Sequence, residues 1–413
     1  VVTTGGSGYS ECNGIRLNRW REDPTLDSWG YYLYIKDTNT GQYWSAGFQP
    51  TRKVPSFYQV HFMEDRVEIH RRDGEIETRT ETIVSPEDDV ELRRLCLVNT
   101  GSTPVNLEVT SYCELVLTQP NTDLAHPAFS NLFVQTEYNE AGFLLACRKP
   151  RTPEEKEYWA AHTVCVEEGD HEPLQHETDR NRFIGRSRSV KNPIAVQSSM
   201  SLSNTTGAVL DPIFSPRRSV ELPPYSRRIV CFSTTAGLTR EHVTELALKY
   251  RDPRAIERTV EMAATHGQVL LRRLSIPVEE AHLFQRVLGR LIFSDPSLRP
   301  RPSMLERNVG TQRSLWQYGI SGDFPICLVR VEDPTELEIV RQLLRAHEYW
   351  RLKGFKSDLV ILNEYPSSYF QHLQEDLRAA IASSTAHAMQ DKPGGVFLLV
   401  ADQLSEEDRT LMR

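Results

Sequence analysis

The 413-residue sequence contains no apolar run near the roughly 18 residues a membrane span needs, so no direct insertion into a bilayer is expected. It has no basic stripe. Lys and Arg number 48 against 56 Asp and Glu, a net charge of −8, which makes nucleic acid a poor partner. It has no Cys-x-x-Cys. The seven cysteines (12, 96, 113, 147, 165, 231 and 327) are scattered and odd in number. That pattern excludes a structural zinc site and points to a reducing compartment. Cys96, Cys113 and Cys231 sit in strand-like apolar patterns, where a free thiol acts as a small hydrophobe. Also missing are an Asp-x-Asp metal motif, a Gly-rich phosphate loop and a Gly-x-Ser-x-Gly elbow. No metal site and no cofactor is implied. Carboxylates are abundant, but no pair is bound to converge as glycoside cleavage requires.

What is present is β periodicity. Ile76, Thr78, Thr80, Thr82 and Val84 alternate with Glu75, Glu77, Arg79 and Glu81. Val105, Leu107, Val109, Ser111, Cys113, Leu115 and Leu117 do the same over a longer run. A period of two puts one face inward and one outward. Asp73-Gly74 is a two-residue hairpin signal. Asn39-Thr40-Gly41 and Asn99-Thr100-Gly101-Ser102 read as further turns. Long antiparallel strands to about Thr235 predict a large β-sandwich.

Near Thr239 the spacing becomes helical. Leu283, Val287, Leu288, Leu291 and Ile292 read as one buried face, and Pro253 and Pro277 divide the stretch. A Pro-rich break runs from Pro296 to Pro302. Asp333-Pro334-Thr335-Glu336 is a helix start, with Asp as N-cap and Pro at the first position. It opens a stripe of Leu337, Val340, Leu344 and His347, with Leu343 beside it. Residues 358–363 and 396–400 read as buried strands around a helix from about Tyr369 to Ser384, a small βαβ unit. The predicted organisation is 1–238 β-sandwich, 239–310 helical linker and 311–413 α/β segment. Val1 is not Met, and the helix begun by Ser405, with Asp408 as its capping partner, has no C-cap. The chain is therefore expected to be an internal piece of a longer polypeptide.

Two places could carry binding. Trp20-Arg21-Glu22-Asp23 and Asp27-Ser28-Trp29 set two tryptophans among acids and an arginine. Sugars stack on aromatic rings while acids and Arg take their hydroxyls, so Trp20, Arg21, Asp23 and Trp29 are the carbohydrate-binding candidates. The competing reading makes Trp29, ahead of Gly30-Tyr31-Tyr32, part of the core and the charges a solvated turn. The second place is the run Leu315 to Ile326, where Trp316 and Asp323 sit among two glycines and a proline. Gly and Pro exclude a regular helix or central strand there. Asp323 is expected to hold backbone amides or a neighbouring Arg rather than to do chemistry. His126, Asp179-Arg180 and Asp211-Pro212 have no evident partner. No catalytic residue is assigned.

The strings Gly5-Gly6-Ser7-Gly8-Tyr9-Ser10, Arg19-Trp20-Arg21-Glu22-Asp23, Trp44-Ser45-Ala46-Gly47, Ser85-Pro86-Glu87-Asp88-Asp89, His126-Pro127-Ala128-Phe129-Ser130, Phe133-Val134-Gln135-Thr136-Glu137 and Gly319 to Pro325 resemble the cyclic β-1,2-glucan synthase family. The last also resembles the linker of cellobiose-phosphorylase-type enzymes. The resemblance implies a galactose-mutarotase-like β-supersandwich with a helical linker. It implies a β-glucan oligosaccharide and other domains of the same polypeptide as partners. It further implies a membrane-tethered parent protein on the cytoplasmic side of the bacterial inner membrane. In the phosphorylase-like relatives the general acid lies in an α/α barrel downstream of anything here, so no catalytic residue carries over. Three readings stay open: a non-catalytic module of a glucan synthase, the front part of a glycan phosphorylase cut before its barrel, and a self-contained sugar enzyme.

Overall fold

A computed structural model describes residues 1–23, 25–167, 174–293, 295–366 and 372–412. The chain divides into two compact units, Val1–Gln268 and Val269–Arg413.

Two antiparallel sheets make up the first unit among the described residues. The seven-stranded sheet is built on the long strand Val105–Thr118. Pro212–Leu222 pairs along one side of it, and Tyr31–Asp37 and Ile15–Asn18 share the other. The eight-stranded sheet runs from the edge strand Phe57–Phe62, through Val90–Asn99 and Arg227–Gly237 near its middle, to Val134–Asn139. Between the sheets lies the core, with Leu33, Ile35, Val109, Leu115 and Phe214 facing Leu95, Leu97, Leu144, Ala146 and Phe232. The sandwich expected from the period-two pattern is therefore present.

The turns do different jobs. Asp73 and Ile76 are paired across the predicted hairpin, with Gly74 at φ +62°. Asn99–Ser102 instead carries the chain from one sheet to the other. There the buried Asn99 amide donates to the carbonyls of Thr103 (2.8 Å), Leu222 (3.1 Å) and Pro223 (3.1 Å). Near the N-terminus, Gly6 lies against Gly47. A Cβ on Gly47 would come within 2.6 Å of the Gly5 carbonyl oxygen, so only glycine permits this approach.

One alternation departs from expectation. Val84 is 64% exposed and Ile83 is 1% exposed. The reason is a third layer. Arg240–Lys249 and the first part of Pro253–Leu274 cover the outer face of the eight-stranded sheet, burying Ile83, Leu92, Cys165 and Cys231 under Leu246, Tyr250 and Ile256. An outward position is thus a core position where helices lie on it. Next to that layer, Glu81 is buried and takes Arg66 at 3.0 Å and Arg94 at 2.9 Å. All seven cysteines are free thiols.

The second unit holds a parallel three-stranded sheet, Ile326–Val331, Asp358–Asn363 and Val396–Val400. The two predicted buried strands are there. Ile326–Val331 was not expected, because an edge strand behind Pro325 shows no continuous buried run. Asp333 caps a 3₁₀ turn, Pro334–Glu336, and Glu336 returns to the Asp333 amide at 3.2 Å. The α-helix Leu337–Leu352 follows and buries Val340, Leu344 and His347. The next helix is His372–Ser383, and the predicted start at Tyr369 lies outside the described residues. In Val278–Ile292 the buried side chains are Ala281 and Phe284, whereas Leu283 is 41% exposed. The predicted Val287, Leu288 and Leu291 pack partly buried against the same core, so the face holds except at Leu283 and continues through Phe284 and Ala281. Ser405 caps the last helix, Glu406–Met412, accepting from the Asp408 amide at 3.0 Å.

Candidate functional site

The outer face of the seven-stranded sheet carries Tyr32, Tyr34 and Tyr112, roofed by Phe183, Ile184, Val196 and Leu202. Beside this roof is a buried charge cluster centred on Arg19. Arg19 follows the strand Ile15–Asn18, and its backbone amide donates to the Glu114 carbonyl (2.9 Å), which fixes its place against the long strand. Its guanidinium donates through Nε to Asp123 Oδ2 (3.0 Å) and through Nη2 to Asp123 Oδ1 (2.6 Å) and Asn131 Oδ1 (2.8 Å). Glu114 lies 3.5 Å from Nη1. Arg180 Nε (2.6 Å) and the Tyr112 hydroxyl (2.6 Å) both donate to Glu114 Oε1. The Asn131 amide passes the network on to Asp211 at 2.7 Å.

Two short helices, Pro120–Ala125 and Pro127–Asn131, supply Asp123 and Asn131. Each begins with Pro at its first turn, where the missing N–H costs no hydrogen bond. Burial opposes the charge on Arg19, but Asp123 and Glu114 outweigh it and hold its pKa above the ordinary arginine value. Arg180 is shifted upward in the same way, with Glu114 overcoming burial. Both guanidiniums therefore stay charged, and the buried ion pairs and hydrogen bonds hold these side chains in fixed positions.

The sequence candidates distribute around this cluster. Trp29 is half-buried, and the Arg19 guanidinium lies 5.8 Å from its ring centroid. Trp20 is only 6% exposed and packs on Tyr9 at 5.4 Å. As a stacking platform Trp20 is corrected to a packing residue, because its ring faces are taken by the fold. Arg21 is half-buried, and its Nε has no hydrogen-bond partner among the described residues. Asp23 is half-buried and accepts from the Thr25 hydroxyl (2.6 Å), the Thr25 amide (2.9 Å) and the Leu26 amide (3.1 Å). The Thr25 hydroxyl and these amides hold its carboxyl below the usual range. His126 is exposed at the junction of the two short helices, which also present Leu124 and Phe129 to solvent.

Sequence reading missed Glu114, Asp123 and Asn131, and left Arg180 and Asp211 without partners. Glu114 sits in a strand whose inward face dominates its pattern, and nothing in one dimension signals that the outward face is roofed.

Trp316 and Asp323 lie in the second unit. The Trp316 ring is 58% exposed, and its Nε1 donates to the Ser321 carbonyl at 3.2 Å. Asp323 is exposed. Its Oδ1 accepts from Gln312 Nε2 at 3.2 Å, not from backbone amides or an arginine, which corrects the expectation. The loop is held instead by buried Ile320 and by Gly319 and Gly322 at φ +76° and +73°. Asp323→Ala should accordingly change stability by no more than about 0.5 kcal/mol, the range of exposed substitutions. A shift of the denaturant midpoint equivalent to 1 kcal/mol or more would show an unrecognised role for the carboxylate.

Among the described residues, no group of three His, Cys, Asp or Glu is placed to hold a metal ion, and no helix is long and apolar enough to cross a membrane.

The first unit is thus a large antiparallel sandwich with helices on the outer face of one sheet, and comparison with known families identifies this class of domain. Residues 1–253 match the glycosyl hydrolase 94 supersandwich domain, and the chain belongs to that family. It is 37% identical over 410 residues to cyclic beta-(1,2)-glucan synthase NdvB of Rhizobium meliloti (strain 1021), covering 99% of this chain and 14% of that protein. It is 23% identical over 271 residues to N,N'-diacetylchitobiose phosphorylase of Vibrio proteolyticus, covering 64% of this chain and 33% of the relative. Solabiose phosphorylase of Paenibacillus borealis is 23% identical over 231 residues, 55% of this chain and 28% of that protein. The chain thus spans a third or less of each of these relatives. The expected supersandwich is present, and the chain is a supersandwich module of the glucan synthase and phosphorylase family.

Proposed function

We propose that this chain is a carbohydrate-associated module of a multidomain cyclic β-1,2-glucan synthase, serving glucan binding and architecture rather than bond chemistry. The observation that supports it best is the similarity of almost the whole chain to one-seventh of such a synthase. In this reading residues 1–238 contact glycan, 239–310 link, and 311–413 form the α/β segment. The parent protein is tethered at the cytoplasmic side of the inner membrane, with its other domains as partners. A second reading, the front part of an inverting glycan phosphorylase, has the phosphorylase similarities in its favour.

Glucan contact is assigned to Trp29, Arg21 and Asp23. Trp29 offers ring surface beside charged groups whose positions are already fixed, so little ordering entropy opposes binding. Titration with linear and cyclic β-1,2-glucan should show weak saturable binding. Trp29→Ala should weaken it by about 2- to 12-fold, the equivalent of 0.5–1.5 kcal/mol of ring contact. Trp20→Ala should instead lower stability, since it empties a packed site. Binding that ignores Trp29→Ala removes the assigned site, and no binding at millimolar glucan leaves a purely architectural module.

A further inference from the structure

A cavity of about 730 Å³ opens at one end of the sandwich, beside Leu117 and Thr118 at the end of the long strand. That size lies within the roughly 300–1,000 Å³ of small-molecule sites. In a chain of net charge −8 its wall is cationic. Arg148, Lys149, Arg151 and Lys156 line it with His242, against Asp89 and Glu155.

Some of these charges are already matched. Arg151 pairs with Glu155 at 2.6 Å, and Lys149 with Glu157 at 3.0 Å. Arg148 has no carboxylate partner, and the Phe133 ring lies 5.7 Å from its guanidinium. It is 7% exposed, and its Nη1 donates to the carbonyls of Val116 (3.3 Å) and Ser130 (3.0 Å) and to the Ser130 hydroxyl (3.1 Å). Its Nη2 has no hydrogen-bond partner, and no carboxylate among the described residues forms an ion pair with it. Lys156 likewise has no partner among the described residues. A buried guanidinium without a counter-ion is costly, and proteins normally pair it. Burial, then the neighbouring Arg151, press its pKa down, and the more distant carboxylates of Glu155 and Asp123 offset this only in part.

A second, independent feature points the same way. The ten-residue helix Arg240–Lys249 starts at the cavity, whose wall includes Leu238, its N-cap Thr239 and His242. The positive end of a helix dipole favours an anion, phosphate above all. Ile15, Leu117 and Tyr158 give the wall an apolar and aromatic part, and Asn13, Thr118, Gln119 and Thr122 a neutral polar one.

We propose that this cavity binds a phosphate-bearing small molecule, its phosphoryl group set between Arg148, Lys156 and the start of helix Arg240–Lys249, and its organic part against Tyr158 and Leu117. The site is separate from the Trp29 loop and does not depend on glucan binding. Calorimetric titration of the whole chain at constant ionic strength tests it, with glucose 6-phosphate, inorganic phosphate and glucose as three arms. Both phosphates should bind saturably and glucose should not, and the ratio of the two affinities separates a bound ester from the free ion. Arg148→Gln should weaken phosphate binding by about 10-fold or more, as loss of a charge-assisted contact does. Because Arg148 also braces Ser130, that variant can fail to fold. Lys156→Glu, which breaks no contact, should weaken binding by several-fold on its own. Trp29→Ala should leave phosphate binding unchanged. Absence of saturable phosphate binding, or binding indifferent to Lys156→Glu, would overturn the assignment.

Discussion

Arg19→Met should destabilise the first unit by about 3–5 kcal/mol, the range for stripping one partner from a buried ion pair. The side chains of Arg19, Asp123 and Glu114 are 8%, 10% and 8% exposed, so solvent screens them little. Met keeps the apolar stem but leaves Asp123 without its two-pronged partner and Asn131 without a donor. Glu114 keeps Arg180 and Tyr112, so the loss falls mainly on Asp123. Adding Asp123→Asn should restore part of the loss, because the orphaned charge is what costs most. The measurement is the denaturant midpoint at unchanged slope. A loss below about 1 kcal/mol would mean that water reaches the cluster and that the pair behaves like a surface bridge.

Between pH 7.5 and pH 4 the first unit should lose about 3 kcal/mol through one residue, His162. This imidazole is fully buried between the sheets, stacked between Phe214 and Phe232 at 5.5 and 5.9 Å. Its Nε2 lies 2.9 Å from the Ser111 hydroxyl and 3.2 Å from the Tyr31 hydroxyl, and its Nδ1 lies 3.0 Å from the Thr234 hydroxyl. Burial, aided by Arg93, lowers its pKa from 6.5 to about 3. The folded state therefore binds the proton less readily than the unfolded state. The contribution is fully present above pH 6.5 and falls as pH drops toward 3, with no further change below that. His162→Gln should flatten this limb of the stability curve, while the part due to acids such as Glu81 and Glu91 remains, since arginine partners hold their carboxyls below the usual range against burial. An unchanged slope between pH 6.5 and 4 in the variant would show that His162 is not the titrating group.

The sequence by itself determined the sandwich, the change to helix near Thr239 and the capped starts at Asp333 and Ser405. Each rests on periodicity or on contacts between residues a few positions apart, and such interactions are local. It also placed Trp29, Arg21 and Asp23 on one loop, because they are neighbours in the chain. Tertiary structure alone decided the rest. Arg19 meets residues 95 to 112 positions away, and no spacing rule encodes that encounter. Ile83 is core and Val84 is surface only because helices from beyond residue 239 lie on the outer sheet face. Trp20 and Trp29 look alike in sequence, but the fold buries the first against Tyr9 and leaves the second half-buried. Asp323 was expected to brace its loop through backbone amides or an arginine, yet it is exposed and accepts from the Gln312 side chain, while buried Ile320 and two left-handed glycines hold the turn. Arg148 ends an otherwise apolar strand, and only the assembled wall shows it to be a buried charge without a paired carboxylate. Periodicity reports which face of an element is apolar, and the partners that reach the other face come from distant sequence.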